Sequence, residues 1–263
     1  RVASRGLGDV YKRQVLNKKP VLENNKLRQK RQKDIYSKKP ILKITNLSKF
    51  YNTSPNFFTK NNEFKALNKI DLNLYPGETL GLIGESGSGK TTLSNSILKI
   101  HSFEEGEIFY EGNDVSTLKG KYLLNFRRQV QLIFQDPYAS LNPLKNIMET
   151  IAEPIKYHRL IDDKNKIIDK VTELLNDVGL DESFLPRYPH ELSGGQRQRI
   201  CIARAICLNP KVIICDECVS ALDVSVQATI LNLLNLLKKK YDFTYIFISH
   251  DPVSYTHLTL PTM

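Results

Sequence analysis

Short apolar stretches of strand length recur along most of the chain. They cover residues 41–47, 65–74, 79–83, 107–110, 130–134, 211–216 and 243–249. The stretch at 211–216 (KVIICD) is apolar almost throughout, which is typical of a parallel strand covered on both faces. Between these stretches lie helical patterns, so the sequence predicts an α/β fold with a mostly parallel sheet.

The longest helical pattern begins near Pro143 and ends near Gly179. Its apolar side chains recur at intervals of three and four residues, the spacing of one buried helix face. These apolar positions are Ile167, Val171, Leu174, Leu175 and Val178. Gly179 suits the end of a helix. We therefore expect a helical insert at about residues 137–192, and a polar loop at residues 51–64 between the first strands.

The net charge of +10 is concentrated at one end of the chain. Residues 1–14 carry four basic and one acidic side chain, and residues 15–40 carry nine and two. Residues 41–263 carry 25 of each. A nucleic-acid-binding face on the main domain is therefore not expected. Because residues 15–40 are polar, Lys-rich and aperiodic, they predict a flexible basic linker.

Both ends of the sequence differ in character from the rest. Residues 1–14 (RVASRGLGDVYKRQ) and 253–263 (VSYTHLTLPTM) resemble translated sequencing-adapter tails, and we expect both to be non-native. The main domain is then expected at residues 41–252 and to be incomplete at its C-terminus.

A glycine-rich segment follows the apolar stretch at 79–83 and precedes a helix-like stretch at 91–100. Its residues are Gly84, Glu85, Ser86, Gly87, Ser88, Gly89, Lys90, Thr91 and Thr92. Strand, glycine loop and helix in this order direct backbone N–H groups and the positive end of the helix dipole at one anion. Lys90 would contact the outer phosphates and the Thr91 hydroxyl would bind Mg²⁺. An ordinary glycine loop is the alternative, and the Lys-Thr ending disfavours it.

Two further segments carry candidate chemistry. Ser193, Gly194, Gly195 and Gln196 precede a helical pattern and would expose N–H groups at a second helix N-terminus. Asp216 and Glu217 end the buried strand at 211–216, at the edge of a parallel sheet where ligands bind. A carboxylate there can hold Mg²⁺, and a second one can act as a general base.

Together these segments resemble the nucleotide-binding domain of ATP-binding-cassette (ABC) ATPases over residues 41–251. The resemblance implies a P-loop NTPase fold of the ABC type, with an N-terminal antiparallel β part beside the parallel core and with ATP and Mg²⁺ as cofactors. It also implies the site residues. Ser193, Gly194, Gly195 and Gln196 would bind the γ-phosphate of an ATP molecule held by the other subunit of a dimer, and Asp223 would lie at the dimer contact. Metal binding is implied for Thr91, Gln135 and Asp216, and catalysis for Glu217, His250 and Gln135. Tyr51 would stack on adenine.

Two points stay open beside this resemblance. Phe50 is adjacent to Tyr51 and could stack on the base instead. Cys218 replaces the Pro or Ala that is usual in the family and forms a Cys215-x-x-Cys218 pair, which could also be a thiol pair or half a metal site. The four cysteines lie within predicted helix and strand, so we expect no disulfide framework and a reducing compartment.

Three segments resemble the dipeptide and oligopeptide importer ATPases in particular. They are FQDPYASLNP at 134–143, RYPHELSGGQRQRICIARA at 187–205 and ALDVSVQ at 221–227. The resemblance implies a second ATPase domain, two transmembrane permease subunits and an extracytoplasmic solute-binding protein as partners, at the cytoplasmic face of the inner membrane. The basic linker fits either the second half of a fused double ATPase or an N-terminal tail.

The sequence leaves the transported solute open between a peptide, nickel, glutathione and a sugar. A soluble ABC ATPase that acts on nucleic acid or ribosomes is the alternative function. A catalytically inactive regulatory module is a third, and it is disfavoured because Lys90, Gln135, Asp216, Glu217 and His250 are all present.

Overall fold

The structure is a computed structural model that describes residues 25–52 and 63–250. Strands in these ranges form two four-stranded sheets. In chain order they are β1 Leu42–Asn52, β2 Glu63–Leu74, β3 Thr79–Ile83, β4 Glu105–Tyr110, β5 Asn113–Asp114, β6 Val130–Ile133, β7 Val212–Asp216 and β8 Thr244–Ser249.

Helices surround these sheets in the same ranges. They are α1 Asn25–Tyr36, α2 Lys90–Ile97, α3 Gly120–Gln129, α4 Pro137–Ser140, α5 Ile147–Tyr157, α6 Lys164–Asp177, α7 Gly194–Ile206 and α8 Val224–Tyr241. Short 3₁₀ turns lie at Val115–Thr117, Glu182–Phe184 and Pro189–Glu191. Within the described ranges, no helix is both long enough and apolar enough to cross a membrane.

The parallel sheet has the strand order β3-β8-β7-β6. Every residue of β7 and β8 is buried, because helices cover both faces of a parallel sheet. The carboxyl ends of all four strands lie at one edge, where the chain enters the glycine loop after β3. This sheet with its covering helices confirms the predicted α/β fold with a mostly parallel core.

The second sheet is antiparallel, with the order β2-β1-β4-β5, and confirms the expected antiparallel β part. Strands β1 and β2 continue further than the sequence predicts, since Tyr51 pairs with Phe64 and Asn52 pairs with Glu63. The predicted loop at 51–64 is therefore wrong at both ends, and its central residues 53–62 lie outside the described ranges.

A helical insert lies between β6 and β7, as the sequence predicts. Helices α5 and α6 bury the apolar side chains of their inner faces in one cluster with α7, β7 and β8. Residue Gly179, which follows α6, has a φ of +73°, a conformation that favours glycine. The limits proposed for the insert and for the whole domain stay predictions.

Two helices are absent from the sequence prediction. Helix α1 lies within residues 15–40, where we expected a flexible linker, so that expectation is wrong for this part of the segment. Lys, Arg and Gln are good helix formers, but α1 has no apolar stripe that would reveal it. Tyr36 anchors the C-terminal end of α1. Its hydroxyl donates a hydrogen bond to the Glu78 carboxylate at 3.1 Å, and its ring packs edge-on against Tyr75 with the ring centroids 5.0 Å apart.

Helix α3 was missed for a different reason: Phe126 is its one fully buried side chain, which is too little for a clear helical period. The expected non-native tail at 1–14, the first part of the linker and the expected tail at 253–263 lie outside the described residues.

Candidate nucleotide-binding site

The glycine loop joins β3 to α2 and curls around its own lysine. The Lys90 ammonium donates to the backbone oxygens of Gly84 at 2.8 Å and Glu85 at 2.7 Å. Gly89 precedes α2 with a φ of +91°. A β-carbon at Gly89 would lie 2.2 Å from the Ala66 backbone oxygen. Only glycine therefore fits this position, and the loop packs directly against β2.

One cavity of about 300 Å³ opens beside this loop. Its lining residues are Tyr51, Phe64, Ala66, Ser86, Gly87, Gly89, Lys90, Thr91, Thr92, Gln135 and Glu217. The structure thus brings most of the predicted phosphate-binding residues, two of the three predicted catalytic residues (Gln135 and Glu217) and the predicted stacking tyrosine to a single space. It adds Phe64 and Ala66 from β2, which the sequence analysis did not identify.

The Glu217 carboxylate is the meeting point of three other predicted site residues. Its Oε2 accepts a hydrogen bond from Gln135 Nε2 at 3.0 Å and lies 3.5 Å from His250 Nδ1, and its Oε1 lies 3.8 Å from Lys90 Nζ. Gln135, Glu217 and His250 follow the neighbouring strands β6, β7 and β8 respectively. The sheet therefore delivers a carboxylate, an amide and an imidazole to one point beside the loop lysine.

Glu217 also has an unusual backbone, with a φ of +48°. Left-handed conformations are uncommon for residues other than glycine and occur often at functional sites. Two hydrogen bonds hold this turn in place, from Glu217 N to Ile248 O at 3.0 Å and from Ser220 Oγ to Glu217 O at 2.8 Å. The carboxylate is thus directed by a fixed turn at the end of a buried strand.

Asp216 is 5% exposed and lies behind Glu217. Its Oδ2 accepts a hydrogen bond from Ser94 Oγ at 3.4 Å. Its Oδ1 is buried, with no hydrogen-bond partner among the described residues. Burial raises the pKa of this carboxyl group above its ordinary value, although a hydrogen bond from Thr91 acts in the opposite direction. A buried carboxylate with an unpartnered oxygen next to a hydroxyl is a suitable environment for a divalent cation.

The residues around Asp216 fit Mg²⁺ better than a metal held mainly by the protein. No group of three or more His, Cys, Asp or Glu residues that could hold a metal occurs in the described part of the chain. Mg²⁺ is usually bound by one or two side-chain oxygens together with substrate phosphates and water. Thr91, Asp216 and Gln135 would supply such oxygens here. Ser94, which the sequence analysis did not identify, orients Asp216.

The second predicted phosphate turn lies at the N-terminus of α7. Ser193 and Gln196 form a reciprocal capping box: Ser193 Oγ accepts from Gln196 N at 3.3 Å and Gln196 Oε1 accepts from Ser193 N at 2.9 Å. A β-carbon at Gly195 would lie 2.7 Å from Val226 Cγ1. None of the residues 193–196 lines the cavity beside Lys90. The turn and the glycine loop are therefore not brought together within one chain.

Asp223 lies immediately before α8 and is exposed. Its backbone oxygen accepts hydrogen bonds from Val226 N and Gln227 N, but its side chain does not cap the helix. Asp223 is thus on the surface, and so is the next residue, Val224, which is 81% exposed.

The geometry favours Tyr51 over Phe50 as the stacking residue. Tyr51 lines the cavity, and its hydroxyl lies 3.2 Å from His101 Nδ1. Phe50 does not line the cavity, and its ring centroid lies 5.4 Å from Lys65 Nζ instead. Adjacent residues on a strand face opposite sides of the sheet, so only one of these two rings can face the phosphate loop.

All four cysteines are free and buried. A hydrogen bond with Cys218, together with burial, raises the pKa of Cys215 well above its ordinary value. A buried thiol of raised pKa is poorly reactive. Cys215 and Cys218 are both buried in the hydrophobic core around β7.

Known proteins resemble this chain over most of its length. Residues 67–220 match the sequence profile of the family described as "ABC transporter". The oligopeptide transport ATP-binding protein OppF of Streptococcus mutans is 48% identical over 215 residues, which are 82% of this chain and 68% of that protein. OppF of Bacillus subtilis is 48% identical over 196 residues, which are 74% of this chain and 64% of that protein.

A third relative is much longer than this chain. The glutathione import ATP-binding protein GsiA of Shigella dysenteriae is 47% identical over 221 residues, which cover 84% of this chain and 35% of GsiA. The chain therefore spans about two thirds of the first OppF protein and about one third of GsiA.

Solved structures of the same architecture are also similar. A dimeric structure of the ATP-binding cassette MJ0796 in a post-hydrolysis state, bound to ADP and Pi, has a TM-score of 0.72 and 30% identity. The match covers 82% of this chain and 90% of that one. Clostridium perfringens cbiO1, described as part of the transporter complex cbiONQ, has a TM-score of 0.68 and 27% identity, over 81% and 80% of the two chains.

Proposed function

The chain belongs to the ABC transporter family, and we propose that it is the ATP-hydrolysing subunit of an importer for oligopeptides or a related small solute such as glutathione. The observation that carries this proposal is the meeting of Lys90, Gln135 and His250 at the Glu217 carboxylate, beside the glycine loop. The OppF and GsiA relatives, whose names describe peptide and glutathione import, support the solute class.

The polar residues in and around the cavity have distinct parts in this proposed reaction. Backbone N–H groups of the glycine loop and the Lys90 ammonium bind the phosphates. Glu217 accepts a proton from the attacking water, and Gln135 and His250, which contact the same carboxylate, orient that water and the terminal phosphate. Thr91, Asp216 and Gln135 would hold Mg²⁺, which would neutralise charge on the phosphate oxygens.

The complete site requires a second ATPase domain. The turn at residues 193–196 presents a helix N-terminus, which favours anions, yet it does not line the cavity of its own chain. In the family, the equivalent turn binds the ATP held by the opposite subunit. We assign Ser193, Gly194, Gly195 and Gln196 the same role toward a partner's γ-phosphate, and Asp223 a place at the contact between the two copies. The dimeric MJ0796 structure supports this arrangement.

An apolar groove beside Gln135 supports docking of transmembrane subunits. The groove has a volume of about 270 Å³ and is lined by the segment that follows α2, by β6 and by side chains of α3 and α7. Phe134 lines it and is 45% exposed, and two later residues of the chain, Tyr138 and Leu144, are 58% and 85% exposed. An apolar surface of this kind is typical of a protein interface. Because Gln135 follows Phe134 directly, a partner seated here would act on the ATP site.

The proposed complex comprises two ATPase domains, two transmembrane permease subunits and an extracytoplasmic solute-binding protein. In such a complex the chain would lie at the cytoplasmic face of the inner membrane. ATP binding would favour the closed state of the ATPase dimer, and hydrolysis would return it to the open state. This shift between the two states would drive movement of the solute.

Affinity purification of the tagged protein from detergent-solubilised membranes of its source tests this function. Mass spectrometry should identify two membrane-spanning subunits in amounts comparable to the ATPase. Co-purification with RNA or ribosomal proteins, without membrane-spanning subunits, would contradict the proposal and favour a soluble ABC ATPase. The balanced charge of residues 41–263 makes that second result unexpected.

A further inference from the structure

Phe64 occupies an unexplained position at the mouth of the cavity. It is a large apolar side chain that is 52% exposed, and it lines the same space as Lys90 and Thr91. Covering such a ring with an apolar part of a ligand removes apolar surface from water, which is favourable. The position of Phe64 in the cavity therefore suits an apolar, flat part of the ligand rather than a phosphate.

Strand pairing sets the direction of this ring. Phe64 lies directly opposite Tyr51 in the ladder of β1 and β2. Directly opposite residues project to the same face of a sheet, with side chains close enough to touch. The next pair, Phe50 opposite Lys65, projects to the other face. The end of the described β1–β2 ladder thus directs two aromatic side chains into the same cavity as the phosphate loop.

We propose that Phe64 is a second base-binding residue, which contacts the purine ring of the nucleotide together with Tyr51. This inference rests on the proposed function and extends it to nucleotide selectivity. Tyr51 is held by His101 at 3.2 Å, so it forms the fixed half of the platform. Phe64 widens the platform, and a two-ring purine covers more of it than a one-ring pyrimidine does.

The two rings contact the base mainly through their faces and edges. Contacts of this kind do not distinguish adenine from guanine strongly, because every base has a flat aromatic face. ATP and GTP should therefore benefit similarly from Phe64, whereas CTP should benefit less. An aromatic contact contributes about a two- to tenfold change in affinity.

The role of Phe64 is tested by measuring the dissociation constants of three ligands. The protein used is one that extends over the full length of the OppF relatives. Isothermal titration calorimetry would use ATP, CTP and inorganic tripolyphosphate, with Phe64→Ala, Phe64→Leu and Phe64→Tyr. Phe64→Ala should weaken ATP binding about two- to tenfold, reduce the preference for ATP over CTP, and leave tripolyphosphate binding unchanged. Phe64→Tyr should bind ATP as the parent does.

Matched control variants distinguish stacking of the Phe64 ring on the base from a role of Phe64 in packing the protein. Phe64→Leu keeps apolar bulk but removes the flat ring, so it should weaken ATP binding while the melting temperature stays near that of the parent. Phe50→Ala, on the opposite face, should not alter ATP affinity. Equal losses for ATP and tripolyphosphate, or unchanged ATP binding in both Phe64→Ala and Phe64→Leu, would overturn the inference. A parent protein that binds neither ATP nor tripolyphosphate would overturn the proposed function itself.

Discussion

The Gln135 amide donates a hydrogen bond of 3.0 Å to the Glu217 carboxylate, although the two residues are 82 positions apart. Strands β6 and β7 are parallel neighbours, paired from Val130 with Val212 to Ile133 with Cys215. Because this register ends both strands at the same level, the residues that follow them must meet. A partner seated in the groove beside Phe134 would thus act on the proposed catalytic base through one hydrogen bond.

Replacing Glu217 with Gln should separate ATP binding from hydrolysis. The amide keeps the size of the side chain but cannot accept the proton of the attacking water, so turnover should fall by about 10²- to 10⁴-fold. ATP binding should persist, and the ATP-bound dimer should accumulate. Phosphate release and size-exclusion chromatography with light scattering would measure the two effects.

Glu182→Gln is the matched control, since Glu182 is exposed and lies in a short 3₁₀ turn away from the cavity. It should hydrolyse ATP at the parental rate. A Glu217→Gln variant that hydrolyses ATP as fast as this control would rule out Glu217 as the base.

Replacing Lys90 with Ala should abolish ATP binding at micromolar nucleotide. The ammonium lies within the loop formed by residues 84–89, and its charge-assisted bonds to phosphate cannot be replaced by a neutral side chain. A loss of affinity of about a hundredfold or more is expected. The control is Lys156→Ala, an exposed lysine on α5, and an unchanged dissociation constant for Lys90→Ala would disprove the role of the loop.

Replacing Ser193 with Asp should block dimer formation without unfolding α7. Aspartate is as good an N-cap as serine, so the helix should keep its cap and the melting temperature should change little. Its negative charge would repel the triphosphate of the partner subunit. In a Glu217→Gln background, light scattering should detect monomers that still bind ATP. Persistence of the ATP-bound dimer would contradict the shared site.

Replacing Asp216 with Asn should stabilise the nucleotide-free protein while weakening Mg²⁺-dependent ATP binding. Burial raises the pKa of this carboxyl group, so its ionised form opposes folding at neutral pH. The free energy of unfolding at pH 7.5 should therefore rise, because the neutral amide places no charge in this buried position. Urea unfolding with chelator would measure it.

The same variant has a defined pH dependence. Because the pKa of Asp216 is higher in the folded protein than in the unfolded chain, its protonated form favours folding. This contribution to stability is complete at a pH below the pKa of the unfolded chain, and it is lost as the pH rises through the pKa of the folded protein. The advantage of Asp216→Asn should therefore shrink as the pH falls toward the ordinary aspartate pKa. An advantage that stays constant between pH 7.5 and 4.5 would contradict this origin.

The sequence predicted the element boundaries of the candidate site well where one segment carries both the candidate chemistry and the boundary. Ser193 is an example, because a serine three residues before Gln196 forms the capping box that starts α7. The buried strand that ends at Asp216 was equally clear, since β7 is apolar and covered on both faces. Such local signals do not depend on distant parts of the chain.

Contacts between distant segments could not be predicted in this way. Phe64 was placed in a loop because residues 51–64 contain Pro and many Asn residues, and only the pairing of Tyr51 with Phe64 reveals the ring as part of the site. Ser94 orients Asp216 across 122 positions, and no sequence period indicates that contact. Helix α1 lacks an apolar stripe and is recognised by its docking on Tyr75 and Glu78.

The separation of the Ser193 turn from the cavity of its own chain has a genetic consequence. In the proposed pair, each subunit lends one half to each of two ATP sites. If one subunit carries Lys90→Ala and the other Ser193→Asp, both lesions fall in the same site and the second site remains whole. If one subunit carries both substitutions, neither site is whole, although its partner is entirely wild type.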